Sequence, residues 1–113
     1  MPSRPIYYLD CASGLEVPAD GPQPMTRDEA LHVFDSFKES ASFIGVEMED
    51  KRMVQLLWGL PADGKATIDV PEPQKKGSLQ REVTIGQGRK ILSQLFDDGA
   101  KPEWIAGLRF QPW

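Results

Sequence analysis

Two helix-capping sequences divide this chain and limit what it can form. Thr26 is followed three residues later by Glu29, and Thr84 is followed in the same way by Gln87. In this spacing the threonine accepts from the free N–H groups of a first helical turn, and the acid or amide reaches back to the threonine. The sequence therefore predicts that one helix starts at each threonine.

Both predicted helices have a single apolar side. Side chains three and four residues apart share one face of a helix with 3.6 residues per turn. The first helix, residues 26–41, has the stripe Ala30, Val33, Phe34, Phe37 and Ala41. The second, residues 84–98, has the stripe Gly88, Ile91, Leu92, Leu95 and Phe96, and Gly99 and Pro102 then act as a stop. Each helix must therefore cover an apolar surface that the rest of the chain supplies.

Between the helices, apolar and polar residues alternate along the sequence, as they do in strands that have one buried face. These segments are residues 43–49, 52–58, 65–70 and 78–83, and another strand is predicted over 104–110 with Trp104 in the core. Because short loops join neighbours, antiparallel pairing is expected. The predicted fold is α+β, a mostly antiparallel sheet of four to six strands with two helices packed against it.

The first 25 residues have the least regular pattern. Residues 5–10 are an aromatic run, and we predict an edge strand there because the missing N–H of Pro5 does least harm at an edge. Residues 11–24 contain three prolines and two glycines, which favours an irregular connection. With 113 residues, the chain is predicted to be a single domain over 1–113.

Composition excludes several classes of partner. The chain has 17 acidic and 13 basic residues and a formal net charge of −4, so it should repel nucleic acid and anionic membranes and attract a basic partner. A single cysteine, Cys11, excludes an internal disulfide. No apolar run is long enough to span a bilayer, and the first residues lack the layout of a secretory signal, so we expect a cytoplasmic protein.

The sequence contains no strong catalytic pattern. His32 is the only histidine, and a Cys11/His32 nucleophile pair is conceivable, but nothing local to Cys11 supports it. Gly86 and Gly88 at a helix start are compatible with a phosphate-binding site. However, residue 91 is isoleucine, where the dinucleotide-binding fingerprint requires a third glycine. We therefore predict no catalytic residue, no cofactor and no metal.

Acidic residues on the predicted strands are the better candidates for binding. Glu47, Glu49 and Asp50 lie close in sequence but do not converge as metal ligands would. A solvated sheet face or a partner-facing acidic surface explains them better. Trp58, beside a Gly-Pro loop, either caps the core or anchors a partner. The predicted partner-binding residues are Glu47, Glu49, Trp58, Asp69 and Glu82.

The order of elements resembles the small cytosolic immunity proteins that protect bacteria from polymorphic toxins, particularly the α+β group that accompanies deaminase-type and nuclease toxins. The matching parts are a helix followed by the hairpin segments FIGVEMED and RMVQLLWG, then RKILSQLFDDG running into KPEW and a final strand, over residues 26–113. These motifs are structural, so no functional residue carries over. The resemblance implies a protein that covers the active site of a toxin.

Three hypotheses follow for function. The leading one is a non-enzymatic inhibitor of a cognate, basic toxin domain, acting as a monomer or weak homodimer. The second is an effector secretion chaperone, which would form a homodimer and hold an unfolded segment. The third is a small enzyme with a site in a concavity between sheet and helices, for which His32 or Asp69 would be the first residues to test.

Overall fold

A computed structural model describes residues 3–113 as one antiparallel sheet of eight strands with two α-helices on one of its faces. The strands are β1 (Ser3–Leu9), β2 (Glu16–Val17), β3 (Gln23–Thr26), β4 (Phe43–Glu47), β5 (Met53–Trp58), β6 (Lys65–Glu72), β7 (Gly77–Thr84) and β8 (Arg109–Pro112). The helices are α1 (Arg27–Ser36) and α2 (Ile85–Gln94). The predicted α+β class, antiparallel pairing and two helices are confirmed, but the sheet exceeds the predicted four to six strands.

The additional strands come from the N-terminal quarter of the chain. Strands β4 to β8 lie side by side in chain order, and β1 pairs with the free side of β4. On its other side β1 pairs with β3 at one end and with β2 at the other. The prediction of an edge strand is therefore wrong, because the proline-rich segment returns alongside β1. Pro5 lies opposite Pro24, so each proline has as its strand partner a residue that also lacks an N–H.

Both capping boxes form as predicted. The Thr26 hydroxyl accepts from the Glu29 N–H at 3.2 Å, and the Glu29 carboxylate accepts from the Thr26 N–H at 2.9 Å. Thr84 and Gln87 make the same two bonds at 3.1 and 2.9 Å. Each helix ends earlier than predicted. Ala41 has a φ of 73° and belongs to the turn before β4.

The core fills the space between the helices and the sheet. Its largest fully buried side chains are Phe34, Phe96, Ile6, Ile44, Leu56, Ile68 and Leu92. Gly88 brings α2 close to its neighbours, since a Cβ there would lie 3.5 Å from both Phe34 Cζ and Ala66 Cβ. This apolar packing occupies the region where the enzyme hypothesis places a concavity.

The C-terminal segment differs from its prediction. Pro102–Trp104 forms a 3₁₀ turn, Gly107 has a φ of 77°, and the last strand begins only at Arg109. Trp104 is 57% exposed and is not in the core, whereas Ile105 is buried. The proline starts a tight turn and the left-handed glycine reverses the chain, so the alternation read from the sequence does not become a strand.

Candidate functional site

Neither helix lies over the second face of the sheet, which we call the open face. Alternate residues of the strands point to it, and the register aligns them in rows. One row consists of Tyr7, Gly45, Gln55, Asp69, Gln80 and Arg109. A neighbouring row consists of Leu9, Phe43, Leu57, Thr67 and Glu82. Polar and apolar side chains therefore alternate across a broad surface.

A chain of hydrogen bonds crosses the first of these rows. The Tyr7 hydroxyl donates to Gln55 Oε1 at 2.8 Å, and Gln55 Nε2 donates to Asp69 Oδ2 at 2.9 Å. Gln80 Nε2 donates to Asp69 Oδ1 at 2.7 Å. Tyr7 is 3% exposed and Asp69 is 7% exposed. Both carboxylate oxygens thus have a donor, and the row is fixed by its own bonds.

The Tyr7 ring is also held by its packing. It lies over Gly45, where a Cβ would come within 2.0 Å of Tyr7 Cζ. The Phe43 ring meets it edge to face, with centroids 6.2 Å apart and planes at 63°. The absence of a side chain at residue 45 therefore gives the tyrosine the space from which it reaches Gln55.

The surroundings of Tyr7 keep its hydroxyl protonated. Burial, followed by the negative charge of Asp69, raises the pKa of the Tyr7 phenol above its ordinary value of 10.0. The phenol therefore remains a hydrogen-bond donor to Gln55 at every physiological pH.

This shift predicts a stability difference that depends on alkaline pH. The folded protein keeps the Tyr7 proton above pH 10 while the unfolded chain loses it, so this stabilising contribution is present below pH 10 and decreases as the pH rises. Tyr7→Phe should lower the free energy of unfolding by about 1 kcal/mol at pH 8. Urea unfolding of parent and variant from pH 8 to 11 should show that difference shrinking. A constant difference would contradict the assignment.

The structure brings only some of the predicted binding residues together. Glu47, Asp69 and Glu82 all lie on the open face. Asp69 is enclosed in the hydrogen-bonded row, whereas Glu82 is exposed and half-buried Glu47 is paired with Lys51, with Nζ to Oε2 at 3.9 Å. Asp69 therefore orders the surface, and the two glutamates remain accessible on it.

The other two predicted residues lie elsewhere. Trp58 is half-buried and packs against the core on the helix-covered face. Glu49 is exposed in the turn after β4, where its carboxylate accepts from Arg4 Nη1 at 3.4 Å. The alternative in which Trp58 caps the core therefore fits its position.

The residues considered for catalysis do not converge. His32 is exposed on α1, whereas Asp69 lies on the open face, so the sheet separates them. Cys11 follows β1, and its N–H donates to Ser42 Oγ at 3.0 Å. Among residues 3–113, no three His, Cys, Asp or Glu side chains are grouped as they would be to hold a metal ion. No helix in that same range has the length and apolar character needed to cross a membrane.

Three residues that define the open face, Tyr7, Gln55 and Gln80, were not predicted as functional. A signal for Gln55 exists in the sequence, because a polar residue between Val54 and Leu56 must point away from the core. Its partners depend on strand register, which the sequence does not give.

Comparison with known proteins adds no relative. The chain matches no protein-family model, no curated protein and no solved structure.

Proposed function

We propose that this chain is a non-enzymatic binding protein, a cytoplasmic immunity protein that inhibits a bacterial toxin domain by covering its active site with the open face. The observation that carries this proposal is the hydrogen-bonded row Tyr7–Gln55–Asp69–Gln80, which orders the middle of that face before any partner arrives. A surface that is already ordered loses little conformational entropy on binding.

Size and composition support a protein partner. The two longest dimensions of the molecule are 33 Å each, and a standard interface buries about 800 Å² per partner. Phe43 and Leu57 are half-buried on the open face, accessible Glu82 lies on the same row as these two residues, and accessible Glu47 lies on another row of that face. Apolar contact area beside acidic groups is suited to a basic toxin domain, because complementary charge accelerates association.

The partner should first be captured with tagged protein from the source organism, at low and then moderate salt. The proposal requires one folded domain that kills cells when expressed alone and loses toxicity when this chain is present. Capture of an unfolded segment by two copies of this chain would instead indicate a secretion chaperone, and capture of no such domain would contradict the proposal.

With the partner in hand, charge reversal tests the open face. The Glu47→Lys, Glu82→Lys double variant should slow association about tenfold at low salt, because both charges then repel a basic domain. Stopped-flow or surface-binding kinetics would measure the rate. The matched control is Glu39→Lys, Asp98→Lys, which changes the net charge equally at exposed sites in the α1–β4 connection and in the turn after α2, away from the open face. Equal slowing by both variants would contradict the assignment of this face.

A further inference from the structure

A small pocket lies away from the open face, between α2 and the segment that leads to β8. Its volume is about 230 Å³. The apolar lining residues include Ile91, Leu95, Ala100 and Ile105, of which the last three are buried. Trp104, also in the lining, is more than half exposed and supplies an aromatic wall. The pocket therefore has an apolar floor and one accessible indole ring.

The charges at this pocket are all positive. Arg81 and Lys101 are its only charged lining residues, although the chain as a whole is acidic. Arg81 Nη1 donates to the Ala106 carbonyl at 3.0 Å, which positions the guanidinium at the pocket. Neither cation forms an ion pair within residues 3–113. A carboxylate placed here would accept charge-assisted hydrogen bonds from these two cations, and no acidic side chain of the lining competes for them.

We propose that this pocket binds a small organic carboxylate with an aromatic or branched apolar body. The body packs on Leu95, Ile105 and the Trp104 ring, and the carboxylate is bound by Arg81 and Lys101. An apolar cavity of about 150 Å³ is enough for benzene, so the volume here fits one ring with a short acid chain. Drug-sized ligands occupy pockets of roughly 300–1,000 Å³, so this pocket is too small for a ligand of that size.

The same chemistry has two sources, a free acid or the C-terminal residue of another polypeptide. Both present a carboxylate beside an apolar group, and the proposed contacts involve only those two parts of the ligand. This inference does not depend on the proposed toxin partner, because none of the residues assigned to ligand binding in the pocket is assigned to toxin binding on the open face.

Titration with 3-phenylpropionate tests the site directly. In NMR spectra of the ¹⁵N-labelled protein, the Trp104 indole resonance, assigned with Trp104→Phe, should shift and saturate. The matched probe 3-phenylpropionamide keeps the ring and lacks the charge, so it should bind at least about tenfold more weakly. A short peptide ending in phenylalanine, compared with its amidated form, distinguishes a chain terminus from a free acid as the source.

Two variants assign the charged contacts. Lys101→Gln and Arg81→Gln should each reduce the affinity for 3-phenylpropionate about tenfold. Arg81 also holds the Ala106 carbonyl, so exposed Lys101 provides the test if Arg81→Gln does not fold. Lys90→Gln, a substitution of another exposed lysine outside the lining, should leave affinity unchanged. Absence of saturable shifts up to about 10 mM acid, or equal binding of the acid and its amide, would overturn the proposal.

Discussion

Replacing Arg4 by methionine is expected to lower the free energy of unfolding by about 2–4 kcal/mol. Arg4 is 8% exposed, and its Nε and Nη2 donate to the carbonyls of Leu95 and Asp97 at 2.8 and 3.0 Å. These carbonyls follow the end of α2, where backbone acceptors lack helical partners and the dipole favours a cation. Methionine preserves much of the apolar volume but removes the donors that Arg4 supplies to both carbonyls, so that the Asp97 carbonyl keeps only the Ala100 N–H at 3.1 Å. Urea unfolding at neutral pH measures the loss.

Arg52 provides the control, because it is a surface arginine with more ion pairs. Its guanidinium binds Asp50 and Glu103, and its presence holds the pKa of the Glu103 carboxyl below its usual value. Arg52→Met should nevertheless reduce stability by less than about 1 kcal/mol, since exposed ion pairs contribute little. Arg4→Lys keeps the charge but has no planar fork for two carbonyls, so it should recover less than half of the loss. Equal losses at residues 4 and 52 would refute the capping role.

The second large effect is expected from Gly45→Ala, which should reduce stability by about 3 kcal/mol. A Cβ at residue 45 would lie 2.0 to 2.4 Å from three atoms of the Tyr7 side chain. The ring is buried and must move, which breaks its bond to Gln55 as well as its contact with Phe43. Chemical denaturation with near-ultraviolet circular dichroism would report both the stability and the environment of the ring.

A double-mutant cycle separates this clash from a general effect of alanine. In a Tyr7→Ala background, Gly45→Ala should change stability by less than about 0.5 kcal/mol, because the opposing ring is gone. Gly86→Ala is the matched control, since nothing lies within 4 Å of a Cβ built there and the residue is in α2. It should be neutral or stabilising by up to about 1 kcal/mol. The same loss with and without Tyr7 would disprove the steric explanation.

The parts of the fold that the sequence predicts are those with a local cause. A capping box depends on residues three apart, and both were identified at Thr26 and Thr84. The strand segments that became β4 to β7 also have their period within a few residues. Strands β2 and β3 were missed because prolines normally indicate irregular chain, and the pairing of both strands with β1 is a contact between segments that the local pattern does not reveal.

The open face was predicted only in part for a similar reason. Alternation along each strand is enough to put Glu47, Asp69 and Glu82 on a common face. It does not show which residues are adjacent across strands, so the bonds from Gln55 and Gln80 to Asp69 required the register. Trp104 was misplaced because a period of two was read over residues 104–110, whereas residue 104 belongs to the 3₁₀ turn that starts at Pro102 and Gly107 has a left-handed backbone.

The contact between Arg4 and the end of α2 has a consequence for the order in which the protein is completed. Its two carbonyl acceptors lie 91 and 93 residues further along the chain. This contact can therefore form only after α2 has been synthesised, long after β1. Strands β4 to β7 need only their immediate neighbours to pair. The end of α2 is thus the point at which the first strand and the second helix are joined by a contact between residues far apart in the chain.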